Sequence, residues 1–440
     1  MESRRTPVPA PDRAASGTPA APPGSRGALV AGSVGNFIEW YEFGVYGYFA
    51  TIIAARFFTP EGGSEVEALV KTYASFALAF FFRPVGAVLF GRMGDRVGRR
   101  PALILVVLLM TGATTLIGLL PTYATLGAAA PWLLTGLRVV QGLSAGGEFG
   151  GAVSVMTEFA PPGRRGLYGA WQSFTVALGL LGGAGMAALP ATVLTGAQLH
   201  AWGWRLPFLL ALPMGLAALR LRLRLEETPS FRRERPAVAA PPGEVAKAIT
   251  LGAGRLMGWS AAGYTFLVVL PSYLQSALNA TFQQALVATV LANLGFAAAI
   301  LPAGALSDRI GRRAVMTAGA VLAVLLAFPL LRLLRDPGVS TTAQGLAVCA
   351  AGAVVGLMAG PGPAMLAEMF PTRVRHTGLG LAYALSNAVF SGCAGLIITE
   401  TVKRTGNLDI PAYYVAVTCA VSALALATLR GDDHHRALRD

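Results

Sequence analysis

Twelve stretches of about 20 mostly apolar residues follow one another along the chain, each parted from the next by a short polar loop, and each long enough to cross a bilayer as a helix. They fall at 29–55, 67–90, 101–120, 130–157, 166–193, 204–224, 248–277, 282–303, 314–334, 342–367, 376–400 and 410–430. The polar punctuation repeats. Between the second and third stretches stands GRMGDRVGRR, from Gly91 to Arg100, and between the eighth and ninth stands GALSDRIGRR, from Gly304 to Arg313, 213 positions on. After the fourth stretch comes Glu158-Phe-Ala-Pro-Pro-Gly-Arg-Arg165, and after the tenth Glu368-Met-Phe-Pro-Thr-Arg-Val-Arg375, 210 positions on. Two motifs repeated at nearly one spacing imply a doubled unit. The expected fold is all-α integral membrane, with twelve transmembrane helices as two pseudo-symmetric six-helix bundles.

The expected division is a disordered tail over 1–27, an N-terminal bundle over 28–224, a linker over 225–247, a C-terminal bundle over 248–430 and a short tail over 431–440. The first tail is rich in Pro, Ala, Ser and Arg without periodicity. The linker follows Arg220, Arg222 and Arg224 and holds Pro229, Pro236, Pro241 and Pro242.

Composition agrees with the pattern. At 54% hydrophobic and 13% charged, with a mean hydropathy of +0.58, the chain carries more apolar surface than a soluble core buries. A net charge of +13 raises the question of nucleic acid, but the basic residues are scattered through short loops and no nucleic-acid partner is expected. With the N-terminus inside, inner segments hold about 25 of the 35 Lys and Arg and outer loops about seven, which places both termini in the cytoplasm of a cell inner (plasma) membrane protein. Cys349, Cys393 and Cys419 lie in apolar runs and read as reduced packing residues. His200, His376, His434 and His435 do not cluster, and no nucleophile stands beside a placed base, so neither enzyme chemistry nor a metal or cofactor is expected.

The pattern G-x-x-x-D-R-x-G-R-R resembles the loop between helices 2 and 3 of the major facilitator superfamily, repeated between helices 8 and 9. Further motifs sharpen the resemblance: Gly35-Asn-Phe-Ile-Glu39-Trp-Tyr-Glu42 with Tyr46, Phe82-Arg83-Pro84 with Gly86, and Arg138-Val-Val-Gln141-Gly142 with Gly146-Gly147-Glu148. Together they resemble the metabolite:proton symporter family over residues 30–430, with Glu42 standing where that family usually has Asp. The resemblance implies transport of small carboxylates or of zwitterions such as proline and betaine. It also implies that the loop motifs latch the cytoplasmic side in the outward-open state, a gate made of Asp95, Arg96, Arg99, Arg100, Glu158, Arg165, Asp308, Arg309, Arg312, Arg313, Glu368 and Arg375. Asp95 and Asp308 are expected near the N-termini of helices 11 and 5, where the helix dipole favours an anion.

Charges inside the spans carry the chemistry. Glu39 and Glu42 are three apart on one helical face, and a carboxylate in hydrocarbon needs a partner or a purpose. Glu39 and Glu42 are the leading proton-coupling candidates, with Glu148 as the alternative. Arg83, Arg138 and Gln141 are the N-terminal candidates for holding substrate, and Tyr264, Asn293 and Asn387 the uncharged C-terminal ones; a static ion-pair network remains the competing reading. Gly179, Gly182, Gly183 and Gly185 read as packing positions, in a stretch without the Gly-Pro pair of antiporters. The expected function is proton-coupled import of a small organic acid by alternating access. A zwitterionic osmolyte is the alternative substrate, and a non-transporting receptor is third. The partners expected are a small-molecule substrate, protons and the lipid bilayer, around a monomer.

Overall fold

The computed structural model describes residues 25–59, 63–97, 99–158, 160–223, 242–370 and 372–429. Within these, the side chains of 25–32, 91, 94–97, 99–100, 151, 154–155, 158 and 372–376 lie outside description, as do most of the expected linker and both expected tails.

The described residues form twelve helical passages, numbered here as spans. Span 1 runs Ser25–Tyr48, continues through Ala50–Ile53 and ends in a π turn, Ala54–Phe58. Span 2 is Glu65–Val97, span 3 Arg99–Leu119, and span 4 Ala129–Ala145 followed after a break by Phe149–Glu158. Span 5 is Arg165–Val193 and span 6 Leu206–Leu223. Span 7 comprises Pro242–Tyr264, a π turn Thr265–Val269 and Leu270–Leu278. Span 8 is Phe282–Ile310, span 9 Arg312–Arg335, and span 10 Thr341–Ala359 followed by Gly362–Met369. Span 11 joins Thr372–Ser386, a π turn Asn387–Gly392 and Ala394–Thr405, and span 12 is Ile410–Ala427.

Nine of these, among the described residues, are long and apolar enough by themselves to cross a membrane. The other three are spans 1, 4 and 7, whose helices are interrupted and carry charges. Interruption inside a membrane is tolerated where the freed backbone is buried in protein or lines a cavity.

The two halves repeat one another in packing. Span 1 lies on span 5 as span 7 lies on span 11; spans 2 and 4 pair as spans 8 and 10 do; spans 3 and 6 pair as spans 9 and 12 do. The halves meet through two further related contacts, span 5 on span 8 and span 2 on span 11. Small residues make the closest crossings. A Cβ at Gly142 or Gly146 of span 4 would land on the backbone of Ala79 or Arg83 in span 2, and one at Gly352 of span 10 on that of Ala292 in span 8.

Several boundaries differ from the sequence reading. The basic motifs, expected as hairpin loops, are largely helical: span 2 runs to Val97 and span 8 to Ile310. In the second motif the turn shrinks to Gly311, whose φ of 95° suits glycine. Polar residues extend a helix as readily as apolar ones once Gly304 and Ser307 are buried against a neighbour. Span 7 starts at Pro242, not 248, because proline fits the first helical position and Glu244 suits the first turn.

Candidate functional site

Span 1 places Phe43 and Tyr46 against Phe76 and Phe80 of span 2, and Tyr264 of span 7, which also meets Trp40, closes this group from the other half. Ring centroids stand 5.3 Å apart for Phe43 and Phe80, 5.8 Å for Tyr46 and Phe76, and 5.3 Å for Phe80 and Tyr264. Two guanidinium groups lie among the rings. Arg83 sits 4.2 Å from the centre of Phe80 and 4.3 Å from that of Phe43, while Arg138 sits 4.1 Å from Tyr46 and 4.9 Å from both Phe43 and Phe76. Such faces attract a cation through the ring quadrupole, most strongly where water is excluded.

The carboxylates stand behind the arginines. Arg83 Nη2 is 3.4 Å from Glu39 Oε1. Arg138 is linked to Glu42 by relay: its Nη1 donates to Gln141 Oε1 at 2.6 Å, Gln141 Nε2 donates to Thr114 Oγ1 at 2.6 Å, and that hydroxyl donates to Glu42 Oε2 at 2.7 Å. All six residues are buried. The network is incomplete, because Arg83 Nε, Arg138 Nε and Nη2, Glu42 Oε1 and the Tyr264 hydroxyl have no hydrogen-bond partner among the described residues. Buried donors left open in this way cost more than they contribute, so a ligand able to satisfy them gains by doing so.

The structure therefore gathers Glu39, Glu42, Arg83, Arg138, Gln141 and Tyr264. The other candidates make contacts of their own, and Asn293 Oδ1 has no partner among the described residues. Asn293 of span 8 donates to Tyr48 Oη at 3.4 Å and to Thr289 O at 2.9 Å. Asn387 is occupied within span 11, donating to Tyr383 O at 3.0 Å and accepting from Ser391 Oγ at 2.9 Å. Glu148, at the break in span 4, pairs with Arg222 of span 6, whose Nη1 also donates to Leu103 O at 2.7 Å.

At the face carrying the repeated motifs, Asp308 of span 8 accepts from the backbone N–H of Gly166 at 2.7 Å and of Leu167 at 2.9 Å, both in the first turn of span 5. Arg312 donates to Asp308 at 2.7 Å and to Glu368 at 3.1 Å, and Arg165 approaches Glu368 at 3.5 Å. Span 5 comes this close because a side chain at Gly166 would collide with Gly304 O, Ser307 and Arg312. Arg309 is exposed, and Arg313 donates to Leu429 O within its own half at 3.4 Å. The side chains of Asp95, Arg96, Arg99, Arg100, Glu158 and Arg375 lie outside the described residues.

On the opposite side of the aromatic group the halves are tied again. Tyr73 and Ser272 hydroxyls are 2.7 Å apart, and Thr51 Oγ1 donates to Gln275 Oε1 at 3.1 Å. The group is thus enclosed from both ends.

Sequence reading missed Thr114, which nothing along the chain separates from its neighbour Thr115, and Arg222, which it took with Arg220 as a basic flank of the linker. A signal for Arg222 exists in Ala211, Gly215, Ala218 and Arg222, spaced four, three and four apart on one buried face, whereas Arg220 is exposed.

Comparison with known proteins accords with this geometry. Residues 28–239 match the family model described as sugar (and other) transporter, and residues 256–440 match that of the major facilitator superfamily. The glycine betaine/proline/ectoine/pipecolic acid transporter of Dickeya dadantii is 34% identical over 91% of this chain and 82% of its own. The chain belongs to the major facilitator superfamily. Within it, this is a metabolite:proton symporter, a multi-pass membrane transporter and not an enzyme. The citrate-proton symporter of Salmonella typhi is likewise 34% identical, over 92% of this chain and 95% of its own. Among solved structures, a D-xylose-proton symporter superposes with a TM-score of 0.76 at 18% identity, over 94% of this chain and 100% of that one, a likeness of fold.

Proposed function

We propose that this symporter imports a compact zwitterion, bearing a carboxylate and an alkylated ammonium, together with protons, by alternating access. The observation that carries this reading is the pair of buried guanidinium groups lying on aromatic faces with N–H groups unfilled. A substrate carboxylate would take the open donors of Arg138 and Arg83 in the planar, forked manner that arginine favours. An alkylated ammonium would take the aromatic faces that the guanidiniums give up. The betaine and proline transporters among the relatives support the same order, which places the zwitterion ahead of the organic acid that sequence favours.

Glu39 and Glu42 would carry the proton, since each is reached through an arginine that also faces the substrate. Substrate and carboxylate then compete for the same positive field, which is a sufficient basis for coupling. One proton crossing one pH unit and about 100 mV supplies roughly 3.7 kcal/mol, enough for several hundredfold accumulation of a zwitterion. The contacts of Asp308, Arg312, Arg165 and Glu368 would latch the cytoplasmic side. The protein would act as a monomer in the inner membrane with both termini cytoplasmic, and its bundles would divide at the linker over 225–247.

A second reading, import of a di- or tricarboxylate, is favoured by the presence of two guanidiniums instead of one. Uptake of labelled betaine, proline and citrate by cells expressing the protein, with and without a protonophore, separates the two. Protonophore-sensitive accumulation of betaine or proline is expected. Accumulation of citrate alone would replace the zwitterion with the acid, and binding without accumulation of any of the three would leave a receptor.

A further inference from the structure

We infer that the proton leaves the central site through the N-terminal bundle itself, passing from Glu39 across a small, partly open pocket to Glu148, where Arg222 is the positioning counter-charge. This rests on the symport reading. It adds a path separate from that of the substrate, and it assigns roles to Arg222 and Thr111.

Three carboxylates, two on span 1 and one at the break in span 4, follow one another along span 1 in steps of about one turn, each with an arginine partner. Glu42 reaches Arg138 through Thr114 and Gln141, Glu39 meets Arg83, and beside Gly35 lies the pair of Glu148 and Arg222. Gly35 permits the last step, for any Cβ there would strike Glu148 Oε1 and Arg222 Nη2. Glu39 and Glu148 line one pocket, together with Thr111 of span 3 and Ser144 of span 4, between walls of Val106, Met110 and Ala218. The Thr111 hydroxyl is buried and has no partner among the described residues. Ser144 Oγ donates to Val140 O and keeps its lone pairs. A water there would find the two carboxylates and two hydroxyls it needs. Arg222 lies in the last turn of span 6, next to its described end at Leu223, so the lowest carboxylate stands close to the face that bears the repeated motifs.

The step balances without any change of oxidation state. Protonated Glu39 gives its proton to the bridging water, which passes one of its own to the Glu148 carboxylate. Glu148 then releases that proton to water at the face, and its pairing with Arg222 is restored. Arg222 keeps its own proton throughout.

The test uses the full chain in liposomes containing a pH dye, with labelled glycine betaine, so that proton and solute fluxes are read together with exchange of labelled for unlabelled betaine. Glu148→Gln is expected to lower proton flux per betaine at least about tenfold, and Thr111→Val about threefold or more, with exchange kept within about twofold in both. Arg222→Gln should behave as Glu148→Gln does, and Arg222→Lys should restore coupling. A purely structural role predicts instead that flux, exchange and melting temperature fall in step, and that result overturns the route. Unchanged proton flux in both Glu148→Gln and Thr111→Val overturns it as well. Wild-type protein that moves betaine without protons would remove the symport reading, and the route with it.

Discussion

On the proposed latch, the contact of Asp308 with the start of span 5 biases the two access states by a measurable amount. Its carboxylate takes two backbone N–H groups, at 2.7 and 2.9 Å, and carries a full charge at the positive end of the span 5 dipole. Asp308→Asn keeps one acceptor oxygen, turns a donor toward the second amide and removes the charge. A hydrogen bond to a charged group contributes about 1.5–3 kcal/mol and a charge in a partly buried dipole contact up to about 2 kcal/mol, so the loss is about 3 kcal/mol. At 1.4 kcal/mol per tenfold, the ratio of latched to open protein falls about a hundredfold. Spin labels on spans 5 and 8 at this face would report the change as a shift of the distance distribution toward the separated state, and uptake would fall while substrate still binds. A distance distribution identical to that of the wild type, with normal uptake, would show that these hydrogen bonds do not bias the equilibrium and that the motif serves only as a topology anchor.

Three further outcomes follow from the site. Arg138→Lys should weaken substrate binding about tenfold or more at an unchanged melting temperature, because an ammonium reproduces neither the fork nor the stacking on Tyr46 and Phe76; calorimetric binding measured beside thermal unfolding checks this. Glu42→Gln should abolish proton-driven accumulation yet preserve exchange, as read in vesicles with and without an imposed pH gradient; intact accumulation in this variant and in Glu39→Gln would move coupling elsewhere. Gly142→Ala should lower thermal stability by about 1–3 kcal/mol, since its methyl group would meet the Ala79 backbone and push spans 2 and 4 apart.

How much of this was readable beforehand differs from residue to residue. Glu39, Glu42, Arg83 and Arg138 stood out because a charge amid apolar residues is conspicuous in any linear reading. Asp308 and Glu368 stood out through repetition. Thr114 did not, because a hydroxyl in a membrane helix can satisfy itself on its own backbone, and Thr114 also lies 3.0 Å from Met110 O. Asn387 stands out in the sequence as a polar amide, and only the structure shows that it meets partners one turn away on either side.

The sequence by itself determined the number of passages, the doubling of the unit and the stock of charges placed in the membrane, because hydrophobic length, repetition and the rarity of intramembrane charge are properties of a line. Tertiary structure alone decided the pairings. Arg83 faces Glu39 and Arg222 faces Glu148 because glycines at 35, 142 and 146 let helices approach until those side chains share one buried space. Tyr264, 218 positions from Tyr46 along the chain, joins the same aromatic group because the two halves pack face to face. Which charge meets which depends on helix rotation and crossing distance, and these are fixed by the joint packing of all twelve spans, not by any one of them.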